Sequence, residues 1–384
     1  MAAMDVDAIP NFLGDQRDTA PDDLQPAFLE FEDLWERKLW HELTDQLVAF
    51  FENPASAAQR LPLYETFISS FAEKINQLKR VTLSLGAASQ CRDDNARLSF
   101  LTTLASKVDK PSSQDAFVYA TTAVASVRLR LGDLEAARKD LDVCEKILDT
   151  FDSVETIVHA SFYRTNADYY QAKHEFASYY RTALLYLACI DLNTLPVPDR
   201  QRIAYDLSIA ALVSDSIYNF GELLLHPILD SLKDTSNAWL RDLLFAFNQG
   251  DLVAYDILST HLLKNPLLQS HQMFLYQKIS LAALTETVFR RPPHDRAMTF
   301  DAISQETKVQ PHEIEHLIMK ALSLGLLRGT IDQVAEVATI QWVQPKVLDR
   351  GQISGMRARL REWDEGVNRL GTWIEGVGKD VWAA

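Results

Sequence analysis

The chain has 384 residues, 47% of them hydrophobic, with three cysteines and a formal net charge of −15 from 53 acidic and 38 basic side chains. That length and apolar content can bury two or three structural units, while the acidic balance excludes a bulk electrostatic footprint for nucleic acid or an anionic membrane. Cys91, Cys144 and Cys189 lie far apart with no C-x-x-C pair, which fits neither a disulfide framework nor a thiolate zinc site and points to a reducing compartment.

The start, MAAMDVDAIPNFLGDQRD, has no basic segment leading into an apolar run, and no later stretch reaches the roughly 18 apolar residues of a membrane span. A soluble, intracellular protein is expected. Residues 1–23 carry several Asp, two Pro and few large apolar side chains, so they are expected to be a flexible acidic extension.

Residues 24–270 read as a helical-repeat domain. In LYETFISSFAEKINQLKRV (63–81), Phe67, Phe71, Ile75 and Leu78 recur every three or four residues, the mark of one buried helical stripe. LGDLEAA (131–137) and QGDLVAY (249–255) place Gly where a helix ends and Asp directly after it as cap of the next, the local chemistry of two antiparallel helices joined by a tight turn. Repetition of such pairs predicts a stacked, tetratricopeptide-like solenoid, without a clean consensus of about 34 residues. The aromatic stretch SFYRTNADYYQAKHEFASYYRTALLYL (161–187) spaces Phe162, Tyr169, Tyr170, Phe176, Tyr180 and Tyr186 as helix cores, with only Arg164, Lys173 and Arg181 as cations among them. A base-stacking groove needs more interleaved positive charge.

The period changes after Arg290. The two prolines of FRRPPHDR (289–296) stop the helix. A short strand-like AMTF, two helical segments and two strand-like runs, LLRGTIDQV and VATIQWV, then give the order of a winged helix within 271–348. In the second run Ala338, Ile340 and Trp342 alternate with Val337, Thr339, Gln341 and Val343, the period of two that a strand requires. Thr339, Gln341 and Val343 are the candidate docking residues of this unit, because an edge strand can pair with another chain.

HEIEH (312–316) fits the H-E-x-x-H zinc pattern. Pro311 suits the first turn of a helix whose apolar face is Ile314, Leu317, Ile318, Ala321 and Leu324, and His312 and His316 lie about 160–200° around from Ile314, away from that face. Position 319 is Met where a metzincin has Gly, and no third ligand follows on a helix. A zinc metalloprotease is therefore only a remote alternative. DNA reading is disfavoured too: the would-be recognition helix offers Lys320 against Glu313 and Glu315, and Arg290, Arg291 and Arg296 are expected to pair with acidic neighbours. No G-x-x-x-x-G-K-[ST], no G-x-S-x-G and no Cys/His pair points to an enzyme or a cofactor.

In the last segment, 349–384, Met356, Leu360, Trp363, Val367, Leu370, Ile374, Val377 and Val381 alternate steps of four and three, a heptad seam. Gly366, Gly371, Gly376 and Gly378 interrupt it, each costing roughly 1 kcal/mol in a helix interior. Such a helix needs a partner surface: the stripe either folds back onto its own domain or joins an intermolecular bundle, and the regular seam on a glycine-interrupted terminal helix favours the bundle.

Helical repeats running into a winged helix resemble the PCI module, found in scaffold subunits of the proteasome lid, the COP9 signalosome and translation initiation factor 3. Within that group ASYYRTALLYLACID (177–191), YNFGELLLHPILDSL (218–232) and WLRDLLFAFNQGDL (239–252), with LGDLEAARKDLDVCEKIL (131–148), resemble a lid subunit. The resemblance runs from about Leu24 to the end, and the acidic N-terminal extension departs from it. It implies a mainly α, non-catalytic scaffold of the regulatory particle lid acting in ubiquitin-dependent degradation in cytoplasm and nucleus. Its winged helix would associate laterally and its C-terminal helix would join a common bundle. The implied partners are other PCI and MPN-domain lid subunits and a ubiquitin-receptor subunit, in a hetero-oligomer without cofactor, nucleic acid or membrane. The alternative is a PCI scaffold of the signalosome or initiation-factor type.

Overall fold

A computed structural model describes residues 8–151, 155–263, 265–292, 295–345 and 350–377. Helices dominate, and among the described residues there is one three-stranded sheet. The chain divides into two compact units, Met1–Leu195 and Pro196–Ala384. This division falls inside the expected 24–270 repeat domain rather than at its end.

The first unit corrects the expected flexible extension. Ala8–Thr19 is a helix, and Ile9 and Leu13 are buried in the same core as Leu24, Phe28 and Phe31. Composition hid this: the few apolar residues, Ile9, Phe12 and Leu13, fall at helical spacing, so one face suffices to pack. Residues 1–7 lie outside the described residues. The 63–81 stripe is buried as read, with Phe67, Phe71, Ile75 and Leu78 all in the core. It is not one helix, however. A wide turn over Leu63–Ile68 and a short helix Ser69–Phe71 end before Asn76, whose side chain accepts from the Leu78 amide at 2.8 Å and starts a new helix, Gln77–Ala88. The cap at Asn76 overrides the periodicity.

Farther along this unit the helices form hairpins that pack on one another. Gln114–Arg130 packs on Leu134–Leu148, Thr156–Ala172 packs on Phe176–Ala188, and Gln114–Arg130 meets Thr156–Ala172. Gly132 takes φ +85° between the first two, and Asp133 accepts from the Ala136 amide at 3.0 Å, the junction that LGD encodes. Phe162, Tyr169, Tyr180 and Tyr186 are buried, so the aromatic stretch is packed helix rather than a platform.

In the second unit the same junction recurs between Ala238–Gln249 and Leu252–Leu262. Gly250 has φ +67°, and Asp251 accepts from Val253 and Ala254 amides at 2.9 and 3.1 Å. Gly250 is also pressed against the helix Gln272–Arg290: a Cβ there would sit 2.6 Å from the Ala283 Cα. That helix is the spine of the winged unit, giving Leu281, Leu284 and Val288 to the core that Met298, Ile314, Ile318 and Ile340 complete. Strand β1 (Ala297–Thr299), helices Phe300–Thr307 and Pro311–Ser323, strand β2 (Leu327–Asp332) and strand β3 (Val337–Val343) follow in the expected order. The strands pair antiparallel in the order β1-β3-β2. Mainly α helical repeats followed by a winged helix is thus the architecture.

Near its start the spine carries a buried cation. Lys278 is 1% exposed. Its ammonium donates to the carbonyls of Ala211, Leu212 and Ser214 at 2.8, 3.1 and 2.6 Å. These close the last turn of the helix Val197–Val213, whose final carbonyls have no partner within the helix. The rings of Tyr218, Phe220 and Phe274 lie 5.3, 5.2 and 5.6 Å from the nitrogen, presenting negative faces to it.

Candidate assembly surfaces

His312 and His316 are both exposed on the Pro311–Ser323 helix while Ile314, Leu317 and Ile318 point inward. Among the described residues no three His, Cys, Asp or Glu side chains gather at metal-binding distance. Glu315 instead accepts from the Gln333 side chain at 3.1 Å, and Lys320 donates to Gln277 at 2.8 Å. The cysteines are free thiols, and burial pushes the Cys144 thiol up to about 12, far from a nucleophile. No helix among the described residues is long and apolar enough to cross a membrane.

Of the arginines beside the prolines, Arg290 pairs with Glu286 at 3.1 Å. Neither Arg291 nor Arg296 forms an ion pair among the described residues, contrary to expectation, and the Arg296 Nε is buried without a hydrogen bond. The main chain of Arg296 is engaged: its carbonyl accepts from the Ile340 amide at 3.0 Å, extending the β1–β3 ladder.

The sheet corrects the choice of docking strand. Thr339 and Gln341 are exposed, and Val343 is half-buried against the winged-helix core. But β3 is the middle strand: Thr339 pairs with Ala297 on one side and Thr330 on the other. Its backbone there has no free edge to offer. The outer strands are β1 and β2. The alternation of side chains reads the same for a central strand and an edge strand, so only long-range pairing separates them.

The terminal segment is one helix, Arg350–Val377. Met356, Leu360, Trp363, Val367, Leu370 and Ile374 line it with exposures of 42–69%. Val377 ends the helix, and Val381 lies outside the described residues. Two exposed apolar residues were missed by the seam: Ile353, three residues before Met356 and on the same step, and Trp373, which sits off the stripe. A Cβ added at Gly355, Gly366, Gly371 or Gly376 would meet nothing within 4 Å, so nothing in the chain itself requires glycine there. The helix is tied to its unit by Arg359, whose guanidinium donates to the Arg290 carbonyl at 2.9 Å, at the end of the spine helix.

These segments coincide with known families. Residues 27–244 match a model for PSD13 N-terminal repeats, 247–342 a PCI domain, and 346–378 an Rpn9 C-terminal helix. A probable 26S proteasome regulatory subunit rpn9 of Schizosaccharomyces pombe is 46% identical over 97% of each chain. The 26S proteasome regulatory subunit RPN9 of Saccharomyces cerevisiae is 40% identical over 97% of this chain and 98% of its own. A COP9 signalosome complex subunit 7 of Arabidopsis thaliana is 26% identical over 41% of this chain and 57% of its own. Matched in order by three family models and nearly end to end by such relatives, the chain belongs to the Rpn9/non-ATPase regulatory subunit 13 family of 26S proteasome subunits.

Proposed function

We propose that this chain is a non-catalytic scaffold subunit of the lid of the proteasome regulatory particle, holding other subunits in place for ubiquitin-dependent degradation. The observation that carries this is the terminal helix. Six large apolar side chains stand in heptad spacing, 42–69% exposed, on a helix that its own unit leaves uncovered. Removing such side chains from water contributes roughly 1 kcal/mol or more each, so the seam favours association by several kcal/mol before ordering costs. Full-length relatives named as proteasome subunits favour this over a signalosome or initiation-factor scaffold.

In this reading residues 24–270 form the reaching arm, 271–348 the winged-helix part and 349–384 the bundle helix. The free edges of β1 and β2 are the places where a neighbouring winged helix pairs. Thr339 and Gln341 supply side-chain contacts from the exposed face of β3, beside the half-buried Val343. MPN-domain subunits and a ubiquitin receptor are the finer partners, and cytoplasm and nucleus the compartments. Trp363→Asp with Leu370→Asp tests the reading. The variant should keep the helical circular dichroism of the wild type and fail to join the lid; normal incorporation would refute it.

A further inference from the structure

Charge on the terminal helix is segregated along one flank of the seam. At about 100° per residue, Arg357, Arg361, Asp364 and Glu375 fall within about 60° of one another, immediately beside the apolar stripe. Arg357 and Arg361 occupy the early turns and Asp364 and Glu375 the later ones. With Ile353, Met356 and Leu360, the residues Arg357, Arg361 and Asp364 line a shallow trough open to solvent. The opposite flank is engaged near its start, because Arg359 caps the Arg290 carbonyl.

Among the described residues, none of these four charges makes an ion pair. Arg357 and Arg361 stand one turn apart, where like charges disfavour an isolated helix. We propose that this flank sets the direction of the neighbouring helix in the bundle: it receives a helix from another chain that is acidic against Arg357 and Arg361 and basic against Asp364 and Glu375, its apolar stripe lying on Ile353, Met356 and Leu360. The inference rests on the assembly reading above and adds the partner's chemistry and polarity to it. A protein helix fits better than a polyanion. The arginines border an apolar stripe, the same flank turns acidic within one turn of Arg361, and the chain carries −15 overall.

The test uses the full-length chain and an immobilised lid preparation assembled without it, with binding followed at about 0.05 M and about 0.3 M salt. Arg357→Glu with Arg361→Glu, and separately Asp364→Lys with Glu375→Lys, should each slow association about tenfold at the lower salt and less at the higher. Unchanged association in both, while Trp363→Asp with Leu370→Asp still abolishes it, would overturn the inference and leave the assembly reading standing. Two further results would also overturn it. One is single-stranded RNA bound by the wild type and lost in the arginine variant with lid association intact. The other is a dimer of this chain, seen by sedimentation equilibrium, that either charge reversal disperses.

Discussion

Replacing Lys278 with methionine keeps the length of the side chain and removes its charge and donors. Three carbonyls, from Ala211, Leu212 and Ser214, then lose the ammonium that satisfies them. Hydrogen bonds to a charged group contribute about 1.5–3 kcal/mol each. Desolvation, opposed by the nearby Asp215, brings the Lys278 pKa from 10.5 down to about 7; this is the preference for the neutral amine over the ammonium in this site, so it sets the pH dependence rather than offsetting the lost bonds. Leaving the three buried carbonyls without a donor should destabilise by about 2 kcal/mol or more near pH 6, where the ammonium is present. For a unit of this size that is a loss of roughly 4–8 °C in Tm.

The pH dependence has a definite sign. Between about pH 7 and 10.5 the unfolded chain binds the Lys278 proton and the folded chain does not, so wild-type stability rises with pH across this window. The methionine variant lacks that slope, and the gap between the two widens as pH rises. Urea unfolding of both proteins at several pH values measures it. A variant as stable as wild type at pH 6, or a gap that does not change with pH, would refute the reasoning.

Gly250→Ala should destabilise by about 2 kcal/mol or more, combining left-handed strain with a Cβ forced 2.6 Å from the Ala283 Cα. Gly132→Ala, with φ +85° and nothing within 4 Å, should lose only about 1 kcal/mol; equal losses by chemical unfolding would contradict the close packing at Gly250. His316→Ala should leave Tm unchanged, and metal analysis should find no stoichiometric zinc in either protein. A loss of bound zinc in the variant would make HEIEH a metal site.

What the sequence made legible is local. The Gly–Asp junctions at 132–133 and 250–251 are read from residue type alone, because only a left-handed helix end followed by a side-chain cap uses that pair so compactly. The winged-helix order and the terminal seam follow from changes of period. What stayed hidden is long-range. No spacing rule links Lys278 to carbonyls 64 to 67 residues earlier. The strand order β1-β3-β2 depends on a pairing across two helices, so β3 passed for an edge. The helix Ala8–Thr19 was masked by its acidic composition, although Ile9 and Leu13 needed only one face of cover. The seam was visible, whereas the charge along its flank gains meaning once Arg359 is seen holding the other side.

The central claim is best tested by affinity purification of the tagged, full-length chain from native extract at moderate salt, with quantitative mass spectrometry of what accompanies it. The account predicts the other subunits of the proteasome lid in near-equal amounts, and their loss with Trp363→Asp and Leu370→Asp. Recovery of the chain alone, or with signalosome or initiation-factor subunits in place of the lid, would contradict it.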